Sequence, residues 1–159
     1  MIDYETNNLG QEKTIWSEWW KVLKPEDEIR MWDYYGGRQW ITKYVPRFGK
    51  VLEAGCGLGR YVFYLSSFDI DIEGLDFSKH TIDFVSEWQK SKGFNCRFID
   101  GDVCDLPYEN NSLSGYISLG VIEHFQEGPQ KALNEANKIY TKVIMLIILR
   151  NFIFFKYFS

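Results

Sequence analysis

Three of the five residues in Gly55-Cys56-Gly57-Leu58-Gly59, inside VLEAGCGLGR (residues 51–60), are glycine. Glycine loses more conformational freedom on folding than any other residue, so such a cluster needs a reason. Either the loop lets its backbone approach a nucleotide-type cofactor closely, or it is a strand-to-helix turn. A dinucleotide fingerprint reads G-x-G-x-x-G, and its third glycine lets the helix pack tightly on the strand. Here the residue three after Gly57 is Arg60, so the glycines read G-x-G-x-G, with Glu53 two positions ahead of the first. Two acidic residues recur at corresponding places further on. Asp76 ends GLD, where a carboxylate can accept from both hydroxyls of a ribose or merely serve a turn or helix cap. Asp102 follows CRFID and is either a site carboxylate or a loop carboxylate in water. Glu123 and His124, in SLGVIEHF, are candidates for moving or orienting a proton; the alternative is a first-turn Glu and a packed His.

These residues need elements to position them. From Lys50 the chain alternates strand and helix. VLEAG reads as a strand, RYVFYLSSF as a helix, and residues 71–75 as a second strand ending at Asp76. Ser78 suits the cap of a helix over 79–91 that Gly93 closes. CRFIDGD is a third strand, GYISLG a fourth, and 123–138 a further helix. This alternation predicts an α/β fold, a mostly parallel sheet with helices on both faces, whose ligands bind beyond the carboxyl ends of the strands. Ahead of it, 1–14 read as a loose polar lead-in and 15–24 as a short amphipathic helix. Pro25 opens another helix with Glu26, Asp27 and Glu28 at its positive end, and 38–45 form a third that Pro46 stops. The boundaries are an N-terminal helical cap segment at 1–48 and an incomplete Rossmann-like domain at 49–159.

The bulk composition narrows the function. With 159 residues the chain suffices for one sizeable core, and its net charge of −4 without a basic run gives no footing for a nucleic-acid partner. Cys56, Cys96 and Cys104 form neither a disulfide framework nor a zinc motif, which points to a reducing cytoplasm. His80 and His124 lie on separate elements, so no metal site is expected. The polar, acidic N-terminus is no secretory signal. Aromatic residues reach 18%, and Trp16, Trp19 and Trp20 are either core or a lid over a ligand.

Four segments in this order, VLEAGCGLGR, GLDFSK, GDVCDLPYENNSL and SLGVIEHF, resemble the class I methyltransferases that use S-adenosylmethionine, in particular the small-molecule, type 11-like branch. The resemblance runs from about residue 50 to 135. It implies a Rossmann-like fold, S-adenosylmethionine as cofactor, and methyl transfer to a small-molecule acceptor. It places Gly55, Cys56, Gly57 and Gly59 along the methionine part of the cofactor and Glu53 near its amino group. Asp76 would hold the ribose, with Leu58 and Phe77 packing close by. Asp102 would accept from the adenine amino group, the Val103 amide would donate to a ring nitrogen, and Leu119 would line the cleft. Glu123 or His124 would serve the acceptor. Tyr34 and Arg38 are within reach of the methionine end but sit in no sharp motif.

The resemblance stops near Ile139. Where relatives continue with a Pro-Gly-Gly turn and further strands, this chain reads YTKVIMLIILRNFIFFKYFS, so it looks truncated and short of the usual C-terminal strands. Two other readings stay open: a cofactor-binding fragment without catalysis, and a membrane-associated protein anchored by the tail. Against the latter, Arg150, Asn151 and Lys156 interrupt an apolar run that would need about 20 residues to span a bilayer. Residues 143–149 are expected to pair parallel to 115–119 and replace the fifth strand. Phe152 to Phe158 find no place, so self-association through the tail or an exposed sheet edge is expected.

Overall fold

The computed structural model describes residues 9–31, 37–149 and 152–156, with side chains described for 15–31, 38–39 and 41–139. Helices α1 (Leu9–Val22), α2 (Pro25–Arg30) and α3 (Gly37–Tyr44) come first. Pro25 begins α2 because its missing N–H is one that a helix start leaves unpaired anyway. The alternating part follows as β1 (Val51–Ala54), α4 (Arg60–Ser66), β2 (Ile72–Asp76), α5 (Lys79–Lys92), β3 (Arg97–Asp100) and β4 (Leu113–Leu119). A 3-10 turn at Ile122–His124, α6 (Gln130–Ile139), β5 (Tyr140–Leu149) and β6 (Phe152–Lys156) complete the described chain.

The sheet order is β3-β2-β1-β4-β5-β6, parallel throughout except for β6, which runs antiparallel to β5. Alternate residues of each strand feed two apolar layers. Val51, Ile72 and Ile117 meet Val62, Phe63, Ile82 and Val85 on one face. Leu52, Leu75 and Tyr116 meet Ala132, Ala136 and Ile139 of α6 on the other. Both faces are therefore covered by helices, as a parallel sheet requires. Phe63 sits among Trp88, Phe94 and Phe98, with ring centroids 4.9, 4.8 and 5.3 Å away, so part of the aromatic excess is core. Two charged residues of β2 are buried, Asp76 at its end and Glu73 within it. Glu73 receives Lys50 Nζ at 2.5 Å and the Tyr108 hydroxyl at 2.9 Å, with Arg97 at 3.7 Å. A carboxylate this buried is tolerated because cations and a donor surround it.

Three expectations are corrected. Residues 9–14 are helical rather than a loose lead-in. The helix expected over 123–138 is broken: after the 3-10 turn, Gly128 (φ 84) and Pro129 interrupt the chain, and α6 starts at Gln130. Gly128 adopts a left-handed conformation foreign to a helix interior, and Pro129 restricts the residue before it. At the tail, Phe152–Lys156 form the antiparallel strand β6, where the sequence had assigned 152–158 no place. The parallel pairing expected for 143–149 is present, with Gly115 opposite Ile144, Ile117 opposite Leu146 and Leu119 opposite Ile148. The tail thus lies in the sheet. Among the described residues no helix is long and apolar enough to cross a membrane.

Hydrogen exchange tests this placement. Amides of 144–148 are expected to exchange slowly, like those of β1 and β4. Fast exchange throughout that stretch would place β5 outside the sheet.

Candidate active site

The loops that follow β1, β2, β3 and β4 lie together beyond the carboxyl ends of the parallel strands, the usual ligand side of such a sheet. The glycine loop at 55–59 is shaped by its own backbone bonds. The amides of Gly55 and Cys56 both donate to the Leu75 carbonyl, at 2.7 and 3.0 Å, and the Gly59 amide donates to the Cys56 carbonyl at 2.8 Å. Gly55 has φ 78, and a Cβ there would stand 2.3 Å from Val121 Cγ2, so the glycine lets the loop after β4 close on the loop after β1. Gly57 has φ 51, and its Cβ would stand 2.5 Å from Trp20 of α1. Cys56 is buried within the core layer of α4 and α5. Burial, then the neighbouring Asp76 and Glu53 carboxyls, push its thiol well above the ordinary range, which disfavours the thiolate.

Asp76 joins two of these loops. Its Oδ2 accepts from the Gly57 amide at 2.9 Å and its Oδ1 from the Ser78 amide at 3.0 Å. Burial pushes its pKa up, while the amides of Ser78, Gly57 and Phe77 pull it down, and the net direction is upward. Each oxygen keeps a further lone pair, so a ribose hydroxyl can be accepted without breaking the amide bonds. Phe77 is half-buried beside it. Glu53, 4% exposed, accepts from the Val62 amide at 3.0 Å. Burial raises its pKa to about 8, partly countered by that amide and by Arg60, and reinforced by Glu28 and Asp76. Arg60 itself is paired with Glu28 of α2, Nη2 at 2.6 Å and Nε at 2.9 Å from Oε2.

The other expected residues frame this centre. Asp102 is exposed and its Oδ1 accepts from the Cys104 amide at 2.8 Å, while Val103 is buried in the layer shared with α6. Leu119 is half-buried at the end of β4, Glu123 is exposed, and His124 is half-buried. Helix α1 crosses the loops. Trp16 stands edge-on to His124 with ring centroids 5.2 Å apart and stacks on Trp20 at 6.0 Å, and Ser17 Oγ lies 3.5 Å from Ser78 Oγ. Trp16 and Trp20 therefore pack against the loops after β4 and β1, whereas Trp19 is 52% exposed and is not core. The sequence missed this contact, although the four-residue spacing of Trp16 and Trp20 puts both on one helix face. Arg38 Nε donates to the Tyr64 hydroxyl at 3.0 Å, and Tyr34 lies outside the described residues. Among the described residues, no group of three or more His, Cys, Asp and Glu could hold a metal ion.

Two substitutions test this geometry. Asp76→Ala removes two charge-assisted bonds worth roughly 1.5–3 kcal/mol each, partly offset by no longer burying a carboxylate, for a net loss of about 2–3 kcal/mol in urea unfolding. No loss would show that Asp76 does not hold the loops. Glu53 has a folded pKa raised above its unfolded value, so the folded empty protein binds the extra proton. Stability falls as pH rises from about 4.5 to about 8 and then levels off. Glu53→Gln removes that slope, raising Tm at pH 8 relative to the wild type; an unchanged slope contradicts the placement of Glu53.

The spacing of the glycines bears on which nucleotide fits. A dinucleotide loop has its third glycine three residues after the second, and here that position is Arg60, so the glycines do not form the dinucleotide fingerprint. Glu28 and Asp76 raise, and Arg60 lowers, the pKa of the buried Glu53 beside this loop. Residues 51–142 match the family described as a methyltransferase domain. Phosphoethanolamine N-methyltransferase 3 of Arabidopsis thaliana is 33% identical over 81 residues, which are 50% of this chain and 16% of that protein. Ajmaline N-methyltransferase of Rauvolfia serpentina is 26% identical over 102 residues, 62% of this chain and 35% of that one. The crystal structure of the PH0226 protein from Pyrococcus horikoshii OT3 superposes with a TM-score of 0.68 at 26% identity, over 82% of this chain and 65% of that one. The chain spans well under half of the curated relatives it matches. With the matched segment covering over half of the chain and the acidic glycine loop at its head, this protein belongs to the methyltransferase domain family, and its cofactor is S-adenosylmethionine.

Proposed function

We propose that this protein transfers a methyl group to a small-molecule acceptor, and that the acceptor atom is an amine nitrogen. The observation that carries the reading is the acidic, glycine-built loop capped by Asp76, at the head of a methyltransferase domain. The amine class rests on the names of the phosphoethanolamine and ajmaline N-methyltransferases. When bound, S-adenosylmethionine supplies a methyl group on a sulfonium that is already a good leaving group. The protein's contribution is then alignment and the exclusion of water. In this reading Gly55, Cys56, Gly57 and Gly59 present loop backbone to the methionine part and Glu53 meets the amino group. Asp76 accepts from the ribose, Asp102 and the Val103 amide read the adenine, and Phe77 and Leu119 line the cleft. His124 takes the proton that the amine loses, or Glu123 does, and Trp16 and Trp20 keep water out as part of a helical cap. The three cysteines are free, which supports a reducing, cytoplasmic setting. Among the described residues β6 is the last strand of the sheet, and self-association through its edge is part of the reading.

Incubation with methyl-labelled cofactor and a panel of small amines, alcohols and thiols, phosphoethanolamine included, tests this. Label is expected in an amine product. His124→Ala is expected to lower turnover roughly 10²-fold or more with cofactor affinity unchanged. Cofactor binding with no transfer to any acceptor would mean a cofactor-binding domain without catalysis.

A further inference from the structure

Two buried carboxyls, Glu53 and Asp76, lie by the glycine loop, and a third, Glu28, pairs with the Arg60 guanidinium. Arg60 of α4 is paired with Glu28 of α2, and both side chains are largely buried. Asp76 of β2 is held by the amides of Gly57 and Ser78. Glu53 of β1 has the Val62 amide on one oxygen. Cys56, the other buried titratable neighbour, keeps its proton and adds no charge. Ionised together, the three carboxylates would leave two net negative charges against the single cation of Arg60, with Glu53 and Asp76 only 4% and 3% exposed. A buried charge without a counter-charge is costly, and the group holds its proton instead. Glu73 shows the contrast in the same sheet, since it is equally buried but has Lys50 and Tyr108 against it.

The cofactor brings positive charge, an ammonium and a sulfonium against a single carboxylate on one small molecule. We infer that S-adenosylmethionine binds with release of one proton from Glu53, which is neutral in the empty site and anionic once the cofactor's cationic end lies beside it. The proton leaves to solvent, so cofactor affinity rises with pH while Glu53 is protonated in the empty protein, a range that burial extends to about pH 8. The coupling rests on the cofactor assignment above and adds a consequence to it: the loading of the site follows pH near neutrality, before any chemistry occurs.

Calorimetric titration of the full chain with S-adenosylmethionine at pH 6.5, in two buffers of different ionisation enthalpy, counts the protons. At that pH the cofactor's own α-amino group, with a pKa of about 8 when free, is already protonated. About one proton released per cofactor is expected, with Kd falling about tenfold from pH 6.5 to 7.5. Glu53→Gln mimics the neutral carboxyl and keeps an acceptor for the Val62 amide; it is expected to bind with no proton released and a flat pH profile. The wild-type count and pH slope stand even if that variant fails to fold. Binding without proton release overturns the inference alone. Loss of the release in Asp76→Asn together with its persistence in Glu53→Gln overturns it too, by placing the proton on Asp76. Absence of binding at every pH overturns the cofactor assignment and the inference with it.

Discussion

The two bonds from Asp76 to the amides of Gly57 and Ser78 fix the relation between the first two strand ends. Everything at the site is arranged around them. They hold the glycine loop against the end of β2, and they do so with one oxygen each, leaving lone pairs directed elsewhere. The loop so held accepts Val121 from beyond β4 against Gly55 and Trp20 from α1 against Gly57. Three segments far apart in sequence therefore meet because one carboxylate sits at the end of one strand. The sheet makes this arrangement available, since parallel strands bring their following loops to one side.

Two buried glutamates in adjacent strands show how a carboxyl is made structural or reactive. Glu73 lies in β2 among a lysine, an arginine and a tyrosine hydroxyl, and ties the strand to its surroundings. Glu53 lies in β1 with a backbone amide, while the nearest guanidinium is engaged by Glu28. The same residue type with the same burial thus fills a salt-bridge role in one strand and stands without full compensation in the other. Glu28, supplied by α2 ahead of the sheet in sequence, acts on Glu53 and pairs with Arg60.

Much of this was legible in the chain. The strand-helix alternation, the cap at Ser78, the stop at Gly93 and the end of β2 at Asp76 follow from local signals: turn residues, apolar runs and capping side chains. The parallel pairing of 143–149 also followed, because a Val, Ile and Leu run suits a strand buried on both faces. Long-range contacts were not legible. Nothing in a local window places Glu28 on Arg60, Trp16 against His124 or Tyr108 on Glu73, since each depends on how helices and loops pack on the finished sheet. The break before α6 was missed because the apolar pattern over 123–138 was followed past the turn signal of Gly128 and Pro129, and the strand at Phe152–Lys156 because its only signal is an aromatic run that a sheet edge or a core face would both accept. Asp76 was read as a ligand for ribose, with a turn or cap residue as the alternative. In the structure it is first a clamp on its own backbone, a role that charge and position alone do not separate from binding.

The central claim is that the loop takes a cationic nucleoside rather than a dinucleotide. Competition calorimetry with S-adenosylmethionine, its demethylated product and NAD tests it most directly. The account predicts that S-adenosylmethionine or its demethylated product binds and that NAD does not displace it. Equal or tighter binding of NAD would contradict the account.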